Sequence, residues 1–380
     1  MARAFTEPEH RARLDRARAA IAEAGLDAAV TFAPEHLYYY AGYDAHTQFS
    51  IQALIIGTEG EPAIILRDVD RANAEESCWL GDQRFYHHGQ HDPADLIAAA
   101  LAERTGPRGR VGLCLNSYAL PGAFALHLAK RLGRADALDV TALLERVRYV
   151  KSEAEMAHIR AAAAIAERGL ARLRASLAPG MSEITLAGLI ESAMREAGSE
   201  YPAMPCWLSS GPRTRGSHRT PTTRTIGPGE PVKCEFAGVV RRYHAVTMQT
   251  LWCGEPSAEA RRTYDAALAS LRAGCRAIAI GVPVTRAEEA AFGPLRQAGF
   301  ATAAHMRFGY GVSAAYPPTW LEGLDITRES PEVFQRNMAF VLHSYATSAD
   351  GVGIMVGGAY ALTDKGLETL SGGDVELTVA

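Results

Sequence analysis

Residues 230–253 alternate in the period of a β-strand and are interrupted once, near Gly238–Arg241, which predicts an antiparallel hairpin turning there. Helical patterns enclose it on both sides. Ser152-Glu-Ala-Glu155 is a capping box, and behind it Met156, Ile159, Ala163, Ala166, Leu170, Leu173 and Leu177 share one face until Pro179-Gly180. A second helix is expected from about Ser182 to Gly198, with Leu186, Leu189, Ile190 and Met194 inward. Two more, at about 257–280 and 285–298, flank Gly281-Val-Pro283, the latter opening on Thr285-Arg-Ala-Glu288 as another capping box. Strand-like runs at Met338–Leu342 and Ala359–Leu362 complete the set.

The preceding residues follow another plan. A helical pattern from Glu7 stops at Gly25. Short apolar runs follow at Ala28–Phe32, Ala53–Ile56, Ala63–Leu66 and Val111–Leu115, each of buried-strand length. Asp92-Pro93 opens a helix with an N-cap acid and proline at N1, and a further helix runs from Pro121 to Gly133. This is a small α/β domain. The change of plan near 145–152 divides the chain into residues 1–148 and 149–380, each long enough to bury a core.

The formal net charge of −4 provides no basic field for nucleic acid or anionic membrane. No apolar run approaches the length of a spanning helix, and the first residues lack a signal-peptide core. Six cysteines without a CxxC pair suggest neither a disulfide framework nor structural zinc. The expectation is a cytoplasmic protein.

Reactive side chains concentrate in four segments: Ser210–Arg219, Lys233–His244, His305–Trp320 and Val341–Tyr345. Glu235 lies in a strand with Cys234 and Phe236 on the opposite face. It can attack an electron-poor carbon or activate a water. His218, His244 or His343 can protonate a departing nitrogen near neutral pH. Arg213, Arg215 or Arg307 can fix a substrate carboxylate. Tyr43, Tyr310 and Trp320 can enclose a small cationic ring. Gln48, Tyr243 and His305 complete the expected substrate-binding set. Arg241 and Arg242 are read as structural, and Tyr38-Tyr39-Tyr40 as packing.

Over nearly its whole length the chain resembles the creatinase/aminopeptidase P/prolidase family. The resemblance rests on Arg-Tyr-Val-Lys151-Ser152-Glu-Ala-Glu155, on Ser-Ser-Gly211…His218…Thr-Ile-Gly-Pro-Gly229-Glu230, and on Gly-Val-Gly-Ile…Tyr360-Ala-Leu-Thr-Asp-Lys-Gly366. It implies an α/β creatinase-like N-terminal domain, an α+β C-terminal "pita-bread" domain with a curved antiparallel sheet covered by helices, and a homodimer in which residues 42–52 of one subunit close the other's pocket. The family's metalloenzymes hold two cations through two aspartates, a histidine and two glutamates. Carried over, those positions are Glu235, Val246, Tyr310, His343, and Met355 or Gly353. The resemblance therefore implies a branch without the metals and no cofactor.

Creatinase's two substrate-binding glutamates fall on Met248 and His343, which disfavours creatine. Glu235-Phe-Ala-Gly…Arg241-Arg242-Tyr243-His244, Gly309-Tyr310…Tyr316-Pro317-Pro318-Thr-Trp320 and Thr-Phe-Ala-Pro-Glu-His…Ala-Gly42-Tyr43-Asp44 are more similar to the ectoine-hydrolase branch. Thr247-Met248-Gln249-Thr250 departs from it. The expected activity is metal-independent hydrolysis of a non-peptide C–N bond in a small zwitterion. The other readings are elimination or isomerisation with Glu235 as base, and a silent binding protein.

Overall fold

The computed structural model describes residues 3–47, 49–106, 109–133, 138–300, 307–373 and 377–379. The chain divides into two compact units, Met1–Arg148 and Tyr149–Ala380.

In the first unit, strands β1 (Ala28–Thr31), β2 (Ala53–Gly57), β3 (Ala63–Arg67), β4 (Asp82–Tyr86), β5 (Val111–Leu113) and β6 (Leu138–Asp139) form one mixed sheet, ordered β4-β3-β2-β1-β5-β6. Alternate residues of its apolar strands feed two cores. Leu54, Ile56, Ile64 and Leu66 pack with helices α1 (Glu7–Glu23) and α2 (Pro34–Ala41). Val30, Ile55 and Ile65 pack with α4 (Pro93–Thr105) and α5 (Gly122–Arg131). Two short helices, α3 (Arg71–Ser77) and α6 (Thr141–Tyr149), complete the set. The Tyr38-Tyr39-Tyr40 run forms part of α2 and is buried, with the Tyr40 hydroxyl donating to the Leu144 carbonyl at 3.0 Å.

The second unit begins with α7 (Glu153–Ser176), whose capping box forms as expected: Glu155 N–H donates to Ser152 Oγ, and Ser152 N–H to Glu155 Oε2. Then come α8 (Glu183–Glu196), β7 (Trp207–Ser210), β8 (Glu230–Val240), β9 (Tyr243–Cys253), α9 (Ala258–Arg276), α10 (Thr285–Gln297), and strands β10 (Gly309–Tyr316), β11 (Thr319–Ile326), β12 (Ala339–Thr347), β13 (Gly353–Thr363) and β14 (Gly366–Gly372). The sheet order is β11-β10-β12-β13-β9-β8-β7, with β14 paired to β13. Residue 314 of β10 also pairs with residue 243 of β9.

The β8–β9 hairpin turns later than the sequence suggests. Strand pairing continues to Val240↔Tyr243, and the two turn residues, Arg241 and Arg242, both take positive φ (49° and 66°). That is the hand a two-residue hairpin requires, although asparagine and glycine are its usual occupants. Arg242 compensates: its backbone N–H and guanidinium both bond Glu200, and the guanidinium lies 4.1 Å from the centre of the Tyr201 ring. Gly238 is a strand residue whose missing side chain admits α7, since a Cβ there would stand 2.2 Å from the Ala162 carbonyl oxygen. The second capping box does not form. Val284 is the N-cap of α10, and Glu288 instead accepts from the Arg328 backbone.

One face of the large sheet packs on helices. Leu208, Cys234 and Phe236 share a core with residues of α7 and α8, and Leu342, Ile354 and Val356 share one with residues of α9 and α10. The opposite face carries the chemistry. No helix among the described residues is long and apolar enough to cross a membrane.

Candidate active site

Register decides which side chains meet. Trp207, Glu235 and Met248 stand abreast on β7, β8 and β9; Met248 pairs with Gly357, and Gly357 with His343. Val341, two residues before His343, is abreast of Tyr310. Because successive strand residues alternate faces, Lys233, Glu235, Val246, Met248, Met355, His343 and Tyr310 all project from the face opposite the helices.

A narrow cleft opens there, lined by Trp207, Ser209, Ser217, His218, Arg219, Lys233, Glu235 and Met355, among others. Glu235 is buried, and loss of hydration pushes its carboxyl up to about 8, against the lowering effects of Lys233 and of a hydrogen bond from Tyr310. The Tyr310 hydroxyl in turn accepts from Trp320 Nε1 at 3.1 Å. Trp320 and Tyr310 thus form a chain of donors that ends on the Glu235 carboxyl. Removing that donor in Tyr310→Phe is expected to raise the Glu235 carboxyl further and lower kcat/KM about tenfold at neutral pH. A pH profile of the variant, with its acidic limb displaced upward, checks this.

The loop 211–219 that carries His218 is held at two points. The first is Glu183, fully buried at the start of α8, which accepts from the Ser210 N–H and hydroxyl (both 2.8 Å), from the Thr222 N–H and hydroxyl, and from Arg213. Burial pushes this carboxyl up, but those bonds outweigh it and hold it below the usual range. The second is Lys233, whose ammonium donates to the Thr214 carbonyl and, at 3.0 Å, to the Gly216 carbonyl. Between them His218 adopts φ 53°, a conformation uncommon outside glycine, with its ring 4.4 Å from that of Trp207. Partial burial and the nearby Lys233 lower its pKa, leaving the imidazole neutral at pH 7.

The other expected site residues have different fates. His343 is on the right face, its ring 6.1 Å from that of Tyr310 and its pKa lowered by burial to about 4, with Nδ1 lacking a hydrogen-bond partner among the described residues. His244 is fully buried: Nδ1 bonds the Arg242 carbonyl at 2.8 Å and Nε2 accepts from the Ala203 N–H at 2.9 Å, leaving neither nitrogen for a substrate. Tyr243 points to the helix side and donates to Glu155 at 2.8 Å. Arg213 is consumed by Glu183, Arg307 pairs with Asp325, and Arg215 is exposed and does not line the cleft. Tyr43 lies in the core of the first unit, its hydroxyl 3.3 Å from that of Thr47. Gln48 and His305 lie outside the described residues. Trp207, Lys233 and Arg219 line the cleft without having been singled out. For Lys233 the signal was available, since a residue two positions from Glu235 on a strand must share its face.

The positions where the resemblance implies metal ligands are thus gathered on the site's face, but their chemistry is wrong for two hard cations. Hard divalent cations require several oxygen donors; here one carboxylate, Glu235, and one imidazole, His343, stand with Val246, Met355 and a phenol, beside Lys233. Among the described residues no group of three or more His, Cys, Asp or Glu side chains is placed to hold a metal. The donor set does not fit the pair.

Comparison with known proteins agrees with this architecture. A description of metallopeptidase family M24 matches residues 157–364, and one of the creatinase/prolidase N-terminal domain matches residues 13–150. The chain is 27% identical to an ectoine hydrolase of Halomonas elongata, covering 97% of this chain and 96% of that one. It is 30% identical to a probable dipeptidase PepE of Mycobacterium tuberculosis, over 82% and 81% respectively. The crystal structure of dipeptidase PepE from Mycobacterium ulcerans superposes with a TM-score of 0.88 at 27% identity, covering 99% of both chains. A prolidase structure from Thermococcus sibiricus gives the same TM-score at 20% identity. With both domains matched and the fold superposing end to end, the chain belongs to metallopeptidase family M24, in its two-domain creatinase/prolidase form.

Proposed function

We propose that this protein is a metal-independent hydrolase that opens a non-peptide C–N bond in a small zwitterion, with ectoine or a related cyclic amidine as the first substrate to test. The observation that carries this reading is Glu235, a buried carboxylate held by Tyr310 at a metal-ligand position of the family, with Val246 and Met355 where further ligands would stand. The near full-length similarity to an ectoine hydrolase supports it.

The cleft residues divide the work. A cationic amidinium entering beside Glu235 favours the ionised carboxylate. A Glu235 oxygen then bonds to the amidinium carbon, or takes a proton from a water that does. In either route the ring C–N bond breaks and the departing nitrogen acquires one proton by way of His218, whose neutral imidazole first accepts it, from the attacking water in the one route and from the other amidinium nitrogen in the covalent one, where water then cleaves the acyl intermediate. One water is added and nothing is oxidised. Of the three histidines first considered, His218 is the one lining the cleft with Glu235.

Incubation of the purified protein with ectoine, with and without a chelator, followed by mass spectrometry of the ring-opened product, is the direct test. Equal turnover in both arms is expected. Turnover that disappears with chelator sinks the metal-independent mechanism, and no turnover in either arm rejects ectoine as substrate.

A further inference from the structure

The cleft carries both signs of charge, and they lie at different places. Glu235 supplies the acid. Of the arginines expected to hold an anion, Arg213 and Arg307 are paired with carboxylates and Arg215 is off the cleft. The cations that do line it are Lys233 and Arg219.

Lys233 is built into its place. Its side chain is buried, with 5% of the residue's surface exposed. Its ammonium lies 4.9 Å from the centre of the Tyr345 ring and donates to the Thr214 and Gly216 carbonyls. An ammonium has three N–H donors. Two are committed to these carbonyls, and the third has no acceptor among the described residues. No ion pair within 4.0 Å joins Lys233 to Glu235, although they share a strand face and each feels the other's charge. The lysine is therefore not spent neutralising the glutamate. Arg219, on the rim, likewise has no hydrogen-bond or carboxylate partner for its guanidinium among the described residues, and it lies close over Gly216.

The geometry points to Lys233, assisted by Arg219, as the anion subsite of the cleft: its free N–H receives the substrate's carboxylate while the cationic end of the same molecule faces Glu235. This rests on the small-zwitterion reading and specifies it, because it names the groups that select a carboxylate-bearing substrate. A buried, pre-oriented ammonium loses little entropy on binding an anion, and a charge-assisted hydrogen bond is worth more than a neutral one.

Binding rather than turnover tests it, so the result does not depend on hydrolysis. Isothermal titration calorimetry would compare ectoine with the same cyclic amidine lacking the carboxylate, on the wild type and on Lys233→Met, Lys233→Arg and Arg219→Gln. The wild type should prefer the carboxylate-bearing ring by about 30-fold. Lys233→Met should collapse that preference to within about threefold, Lys233→Arg should retain part of it, and Arg219→Gln should reduce it a fewfold. A lysine that merely pins the loop would weaken both ligands alike and leave the ratio unchanged, which overturns the inference. So does a wild type with no preference for the carboxylate, including one that binds neither ring. If Lys233→Met fails to fold, the Arg219→Gln ratio decides, since that side chain is exposed and makes no structural bond among the described residues. Carboxylate preference without hydrolysis would remove the hydrolase reading and leave the subsite standing.

Discussion

Glu235→Gln is expected to abolish turnover, by at least about a thousandfold, and to make the protein more stable at neutral pH. The first effect follows from removing the only carboxylate among the described residues that line the cleft. The second follows from the position of its pKa. Burial raises the Glu235 carboxyl from an ordinary 4.5 to about 8, so at pH 7 the unfolded chain is ionised there while the folded chain is largely protonated. Stability associated with this group is fully present below the unfolded pKa and is lost as pH rises from about 4.5 to about 8. At about 1.4 kcal/mol per pH unit the native state gives up on the order of 3 kcal/mol by pH 7, the lowering effect of Lys233 being already contained in that pKa. Glutamine has no proton to take up, and its amide oxygen still accepts from Tyr310. Thermal unfolding of both proteins at pH 5 and pH 8 checks this: the variant's advantage should grow with pH. An equal or lower Tm for the variant at pH 8 would show that the carboxylate is accommodated in the fold without cost.

Sequence patterns located the frame of this molecule because they are local. The capping box at Ser152 is four residues long and forms as read; the hairpin strands follow from alternation alone. The turn was misplaced because glycine normally marks a turn, whereas Gly238 is required by the close approach of α7, and the turn falls to two arginines steadied by Glu200 and Tyr201. The candidate site was legible only in part, for a related reason. A sequence shows which groups can ionise but not which are already engaged. Arg213 and His244 looked available, yet Glu183 takes one and two backbone groups take the other. Lys233 went unselected because lysines are ordinarily solvated; what makes it notable, burial against two carbonyls supplied by a loop nearly twenty residues upstream, is a tertiary fact.

Those two groups together dictate how activity should depend on pH. For attack or proton removal Glu235 must be ionised, and its carboxyl is pushed up to about 8. For anion capture Lys233 must be charged, and burial, together with the repulsion of Arg219, lowers its ammonium to about 8. In the free enzyme kcat/KM should therefore rise about tenfold per unit from pH 6 toward pH 8 and then fall on the alkaline side, giving a narrow bell centred near 8. The two limbs belong to the pair as a unit, since each charge acts on the other. The remaining groups around them do not supply the limbs. Burial keeps His343 neutral and lowers His218 from its ordinary range, and it raises Tyr310 well above 10. The decisive comparison is Lys233→Met. Without the ammonium the Glu235 carboxyl loses its lowering neighbour, so the acidic limb should move to higher pH while the alkaline limb disappears. A variant whose alkaline limb stays in place would assign that limb to another group and separate Lys233 from the chemistry of the cleft.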